Sequence, residues 1–195
     1  MAAPAKVDEL VERFGRNLDA FKSIKRDCLD QRCYAFSNLI HRDQNMNLSR
    51  MFYHWRQVRS DLLATMDKFS DDELTFVPFN ASRAVGQIML HIAGAEEGWF
   101  RYVIGRGYDE WPPEYSLADY PDIGSIKALL TKVHTRTEAY LDTQDLADLE
   151  CMIDAPWGKS IPLGWIIWHV LEHEIHHRGE LSLILGLLGR EGLDV

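Results

Sequence analysis

Four of the chain's eight histidines, His169, His173, His176 and His177, fall within nine residues of a single apolar segment. Because an α-helix advances about 100° per residue, His169, His173 and His177 stand one above another at i, i+4 and i+8, with His176 rotated off that line. Two imidazoles at i, i+4 can chelate one divalent metal, and a third ligand must then come from another element. His91 lies in the middle of a second apolar run, with the small residues Gly94 and Ala95 one turn later, where a partner helix can approach closely. Three neutral nitrogen donors leave at least one coordination position open, the arrangement that activates a bound water, thiol or substrate. Glu180, three residues after His177, can hydrogen-bond a ligand's second ring nitrogen and fix its orientation, which makes it the candidate catalytic residue. Glu174 and Arg178 are the other polar groups near this site, while His41, His54 and His134 read as surface residues. Trp55, Trp99, Trp165 and Trp168 read as core packing, and Cys151, with no flanking partner, as an inert thiol.

The elements that must position these residues follow from apolar periodicity. Val7, Leu10, Val11, Phe14, Leu18, Phe21 and Ile24 predict an amphipathic helix over 6–26, followed by a polar connector over 28–45. Met51, Phe52, Trp55, Val58, Leu62, Leu63 and Met66 predict a second helix from Leu48, broken at Ser70-Asp71-Asp72. Ser82 is the expected N-cap of a third, running through Val85, Ile88, Met89, Ile92, Ala95, Trp99, Phe100 and Val103 and stopped by Gly105 and Gly107. The stretch 108–121 holds Trp111, Pro112, Pro113, Tyr115 and Tyr120, too rich in proline for regular structure and too aromatic for a free linker, so it reads as a loop packed over something. Ile126, Leu129, Leu130, Val133 and Ala139 predict a fourth helix over 123–141. Pro162 then suits the first turn of a last helix carrying Leu163, Ile166, Ile167, Val170, Leu171, Ile175 and Leu181, with Gly189 and Gly192 as its stop. Period-two alternation is absent except over the short piece 151–154, so the class is all-α: a four-helix bundle over 47–195, with 1–46 as an N-terminal extension bearing one additional amphipathic helix.

Composition narrows the function. The 195 residues include 30 acidic and 21 basic ones, and a formal charge of −9 argues against the phosphate neutralisation that drives nucleic-acid binding. Three cysteines, Cys28, Cys33 and Cys151, without a C-x-x-C pair indicate neither a disulfide framework nor a thiolate zinc site, and suit a reducing compartment. With no 18-residue apolar stretch and no signal-peptide pattern, the expectation is a cytoplasmic protein that does not enter membranes. The segment H-E-I-H-H from His173 to His177 also satisfies the H-E-x-x-H pattern of zinc metalloproteases. That match is set aside, because no strand pattern precedes the helix to hold an extended peptide and His176 and Arg178 sit badly in the apolar positions around the motif.

The run W-I-I-W-H-V-L-E-H-E-I-H-H-R-G-E-L from Trp165 to Leu181, preceded in the chain by S-R-A-V-G-Q-I-M-L-H-I-A-G-A-E-E-G-W from Ser82 to Trp99, resembles the DinB/YfiT-like superfamily. The similarity runs from about Leu48 to Val195 and implies a four-helix bundle, commonly dimeric, with a divalent metal held by three histidines, here His91, His173 and His177. His169 becomes a neighbour of that site, and Glu180 stands where the family often has glutamine. Some relatives resemble S-transferases or isomerases that use bacillithiol, mycothiol or glutathione, in which the metal lowers the pKa of the cofactor thiol.

Three functions therefore stand side by side. The first is a metal-dependent thiol S-transferase acting on a small-molecule electrophile held under the 108–121 loop. The second is a hydrolase using a metal-bound water, and the third a non-catalytic metal-binding stress-response protein. Zinc is favoured by availability, although imidazoles also accept nickel, copper, iron or cobalt. A homodimer is expected by family analogy.

Overall fold

The structure is a computed structural model, and it describes residues 46–80 and 82–192. The amphipathic helix expected over 6–26, the connector after it and His41 lie outside the described residues. Helix α1 (Leu48–Met51) is a single turn capped by Asn47, whose side chain accepts the Arg50 N–H at 3.1 Å. Four longer helices follow: α2 (Trp55–Met66), α3 (Val85–Glu97), α4 (Ile123–Asp142) and α5 (Leu163–Leu187). α3 packs against α4 and α5, and α2 packs against α5, which closes the expected four-helix bundle. The second periodic run is thus split, because the chain makes a turn over 52–54 between α1 and α2.

The ends of the helices follow local chemistry. Asp122 caps α4 by accepting the Ser125 N–H at 2.7 Å. Gly189, at φ +74°, ends α5 in the left-handed conformation that favours glycine, and the next N–H, that of Arg190, returns to the Leu185 carbonyl at 2.9 Å. Ser82 does not cap α3. Its hydroxyl donates to the Phe79 carbonyl at 2.9 Å and closes the preceding turn, while Gln87 Oε1 reaches back to the Ala84 N–H at 3.1 Å. α3 then widens directly into a π-helical segment, Gly98–Ile104, before the expected stop at Gly105. Between α4 and α5 the chain forms a 3-10 turn (Leu146–Glu150) and a small antiparallel hairpin, β1 (Met152–Asp154) with β2 (Ser160–Pro162). The hairpin is the one sheet among the described residues.

The two larger apolar clusters of the core form layers along the bundle. One contains Leu62, Met66, Ile88, Met89, Ile92, Leu130, Val133, Leu181 and Ile184. The other contains Leu48, Trp55, Val58, Phe100, Leu141, Leu163, Ile167 and Val170. Each helix changes layer at a buried polar residue: Arg59 on α2, Glu96 on α3, His134 on α4 and Glu174 on α5. No helix among the described residues is long and apolar enough to cross a membrane.

Candidate metal centre

α3 and α5 each contribute one face to a groove, and the helical period decides which residues enter it. His173 and His177 stand one turn apart on α5 and His91 faces them from the middle of α3, so the three rings form a near-equilateral triangle. Ring centroids are 4.9 Å apart for His91 and His173, 5.1 Å for His91 and His177, and 4.5 Å for His173 and His177. One ring nitrogen from each lies within 4.8 Å of the others. His91 Nε2 and His173 Nε2 are 3.1 Å apart. In a tetrahedral zinc site with bonds of about 2.0–2.1 Å, neighbouring ligand atoms are separated by about 3.3 Å, so the donor set and its spacing fit such an ion with little movement.

Electrostatics keep these imidazoles neutral, the state in which a lone pair is free to bind a cation. Burial, reinforced by the neighbouring histidines, pushes the His173 imidazole down from 6.5 to about 3. Burial lowers His91 as well, with Arg83 and His177 adding to it. For His177 burial again comes first, partly offset by Glu180. Glu180 Oε2 lies 2.7 Å from His177 Nδ1, so Nδ1 carries the proton and Nε2 is left for a metal. This is the orienting contact expected of Glu180. His176, His177 and Glu180 form a second group with ligand atoms within 4.8 Å, but it draws on the same His177 and on the carboxylate already bonded to that ring.

The groove beside His177 opens into a polar cleft of about 590 Å³, lined by Ser82, Arg83, Gln87, Ile88, His176, His177 and Glu180. Arg83 is half exposed there and holds Glu114 only loosely, at 3.7 Å. Gly94, expected to admit a partner helix, instead faces the aromatic loop: Tyr115 lies 3.9 Å from where a Cβ would stand. That loop does pack over the bundle, with Trp111 against Trp99 and Tyr102 at 6.1 and 5.9 Å between ring centroids.

Several residues stand elsewhere than their sequence suggested. Glu174 follows His173 in the chain and therefore points about 100° away from it, out of the groove and into the core. It is 1% exposed, accepts the Trp55 indole N–H at 2.7 Å and meets Arg59 at 2.9 Å. A general base for an H-E-x-x-H protease cannot be built from it. Arg178 turns to α2 and pairs with Asp61 at 3.1 Å. His134 is not a surface residue: it is 6% exposed, and its Nδ1 contacts Glu96 Oε1 at 2.9 Å. Arg59 completes the network by donating to Glu96 at 2.6 Å. Burial opposes ionisation of Glu96, but Arg59 and the His134 hydrogen bond override it and hold the carboxyl at about 2. Burial raises Glu174, against the pull of Arg59. The sequence signal for this network was an arginine and a glutamate set inside otherwise apolar stripes. Trp55 is core, as expected, whereas Trp165 and Trp168 are 49% and 56% exposed because they lie on the outward side of α5. His54 and Cys151 are exposed.

Comparison with known proteins agrees with this architecture. The chain is 26% identical over 133 residues, 67% of its length and 80% of the other's, to YizA of Bacillus subtilis, an uncharacterized protein. A DinB-like protein from Bacillus cereus superposes with a TM-score of 0.62 at 18% identity, covering 78% of this chain and 99% of that one. The DinB-like protein YjoA from Bacillus subtilis superposes with a TM-score of 0.58 at 22% identity, over 73% and 94% of the two chains. At these identities the superpositions speak for the fold alone. The model of the DinB superfamily matches residues 54–181, which include α2 to α4, most of α5 and all three groove histidines, and the chain belongs to that superfamily.

Proposed function

We propose that this protein is a metal-dependent thiol S-transferase that holds a divalent cation, zinc by availability, on His91, His173 and His177. The observation that carries the reading is the combination of three neutral imidazoles from two helices with an open polar cleft against one of them. A sealed structural site has no use for such a cleft. A bound divalent cation supplies the positive charge that lowers the pKa of a thiol brought to the open side of the site. The chain's own residues do the rest. Glu180 fixes the tautomer and tilt of His177, and Ser82, Arg83 and Gln87 offer hydrogen bonds and charge to the polar body of a small thiol such as bacillithiol, mycothiol or glutathione. The thiol loses its proton to solvent, its sulfur bonds to the electrophilic carbon of a small molecule, and the leaving group departs with its electron pair. We place this activity in a cytoplasmic homodimer.

The test is an assay panel on metal-loaded protein. Conjugation of 1-chloro-2,4-dinitrobenzene to low-molecular-weight thiols is followed beside hydrolysis of esters, amides and lactones. The expected result is thiol consumption that needs metal and disappears in His173→Ala. Hydrolysis without thiol consumption would replace the transferase with a hydrolase, and silence on both with metal bound would leave a non-catalytic metal-binding protein.

A further inference from the structure

Eight residues before His173 on α5 and eight after His91 on the other wall, the groove changes character. Trp99 is the hub there: its ring meets Trp111 at 6.1 Å, Trp157 at 5.8 Å, Trp165 at 5.8 Å and His169 at 5.2 Å, each time edge to face. Trp165 lies flat on His169, 4.7 Å between centroids and 10° between planes. His169 is in turn 6.4 Å from His173, so the rings run without a break from this shelf to the metal centre.

Four separate segments are brought together to build the shelf. The π-helical segment supplies Trp99, the proline-rich loop Trp111, the turn of the hairpin Trp157, and α5 both Trp165 and His169. A π-helical widening of this kind often marks a functional position. Gly98 makes room for the loop, since a Cβ there would stand 2.3 Å from the Trp111 ring. Yet Trp111, Trp157 and Trp165 remain 42%, 48% and 49% exposed. Core packing would bury indoles that close together, and an exposed aromatic face beside polar groups is what a ligand site requires. Because His169 is one helical turn, about 6 Å, from His173, a ring resting on the near edge of the shelf has its substituents at the three histidines.

We infer that the Trp99–Trp111–Trp157–Trp165–His169 shelf is a binding subsite for a flat aromatic ring, and that the electrophile of the transferase is an aromatic compound bound there. The second half of this inference rests on the transferase reading; the first does not. With a chloro-aromatic electrophile, sulfur bonds to the ring carbon bearing chlorine and chloride leaves with the electron pair. The shelf holds the ring while that carbon faces the metal centre.

The experiment uses the full chain and 1,3-dinitrobenzene, a flat ring with no leaving group. Time-resolved tryptophan fluorescence separates static quenching by bound ligand from collisional quenching, in wild type, Trp165→Leu and Trp168→Leu, with circular dichroism to confirm folding. Trp168 lies on the same helix, is 56% exposed and makes none of the shelf's ring contacts. Saturable static quenching in wild type and Trp168→Leu, weakened at least tenfold in Trp165→Leu, is the expected result. Equal affinity in both variants, or quenching that never saturates, overturns the subsite. So does sedimentation showing that Trp165→Leu turns a dimer into a monomer, because the shelf would then be a subunit contact. The electrophile claim has its own readout. Trp165→Leu should raise KM for 1-chloro-2,4-dinitrobenzene about tenfold and leave thiol alkylation by iodoacetamide unchanged. Saturable ring binding with no thiol chemistry would keep the subsite and remove the transferase, whereas thiol chemistry indifferent to Trp165→Leu would do the reverse.

Discussion

His173 and Glu174 are adjacent in the chain and belong to two polar clusters of opposite kind. His173 enters a groove with His91 and His177, where the first two rings are partly buried and His177 is buried, all uncharged and next to an open polar cleft. Glu174 enters a sealed layer with Trp55, Arg59, Glu96 and His134, each 6% exposed or less, where a cation is matched by carboxylates. The groove cluster has ring nitrogens facing one another and little else to bond. In the core cluster donors converge on acceptors: Arg59 reaches both glutamates, Trp55 donates to the same Glu174 oxygen as Arg59, and His134 meets the other oxygen of Glu96, while His134 Nε2 has no hydrogen-bond partner among the described residues. Similar residue types thus make a candidate ligand site where donors converge on open space, and a structural joint where they converge on each other.

The largest effect is expected from Arg59→Met. It removes the cation shared by Glu96 and Glu174 and strands buried carboxylate, so unfolding in urea should show a loss of about 3–5 kcal/mol. If stability stays within experimental error, the core cluster is not a charge-balanced joint. Glu174→Gln is gentler, since the amide still accepts from Trp55 but meets Arg59 without a charge. It should cost about 1–3 kcal/mol while leaving metal stoichiometry and activity intact. An inactive but stable Glu174→Gln variant would reinstate the H-E-x-x-H base.

Smaller effects belong to the groove. Glu180→Gln leaves His177 without its carboxylate partner, and competition with a chromogenic chelator should show metal affinity weakened about 10–100-fold with folding unchanged. Acid should destabilise metal-free protein. The unfolded chain takes up a proton on His173 near its ordinary value of 6.5, and the folded protein not until about 3, so the unfolded state binds more protons across that window. Stability should therefore fall as the pH is lowered from 6.5 towards 3, and His173→Ala should flatten the decline. A steeper decline in the variant would contradict the sign.

Much of the groove was legible in the sequence because it obeys one rule, the helical period. His173 and His177 share a face by spacing, and Glu180 reaches the second of them by the same arithmetic. The bundle helices were visible as apolar stripes, and the 108–121 loop as an aromatic segment that had to pack on something. Period alone did not show that His134 is buried, because its surroundings come from α2 and α3 rather than from its own helix. It also did not show that Trp165 faces water, since a tryptophan on a largely apolar helix looks the same whether a partner covers it or not. Ser82 misled because its hydroxyl closes the turn before α3 instead of capping the helix.

Elemental analysis decides whether the three groove histidines bind one metal. Tag-free protein, purified without chelator or nickel resin, is measured beside folded His91→Ala and His173→Ala variants. About one divalent metal per chain is expected in wild type and none in either variant. Folded wild-type protein without metal, or variants that keep it, would show that His91, His173 and His177 meet only as packed imidazoles.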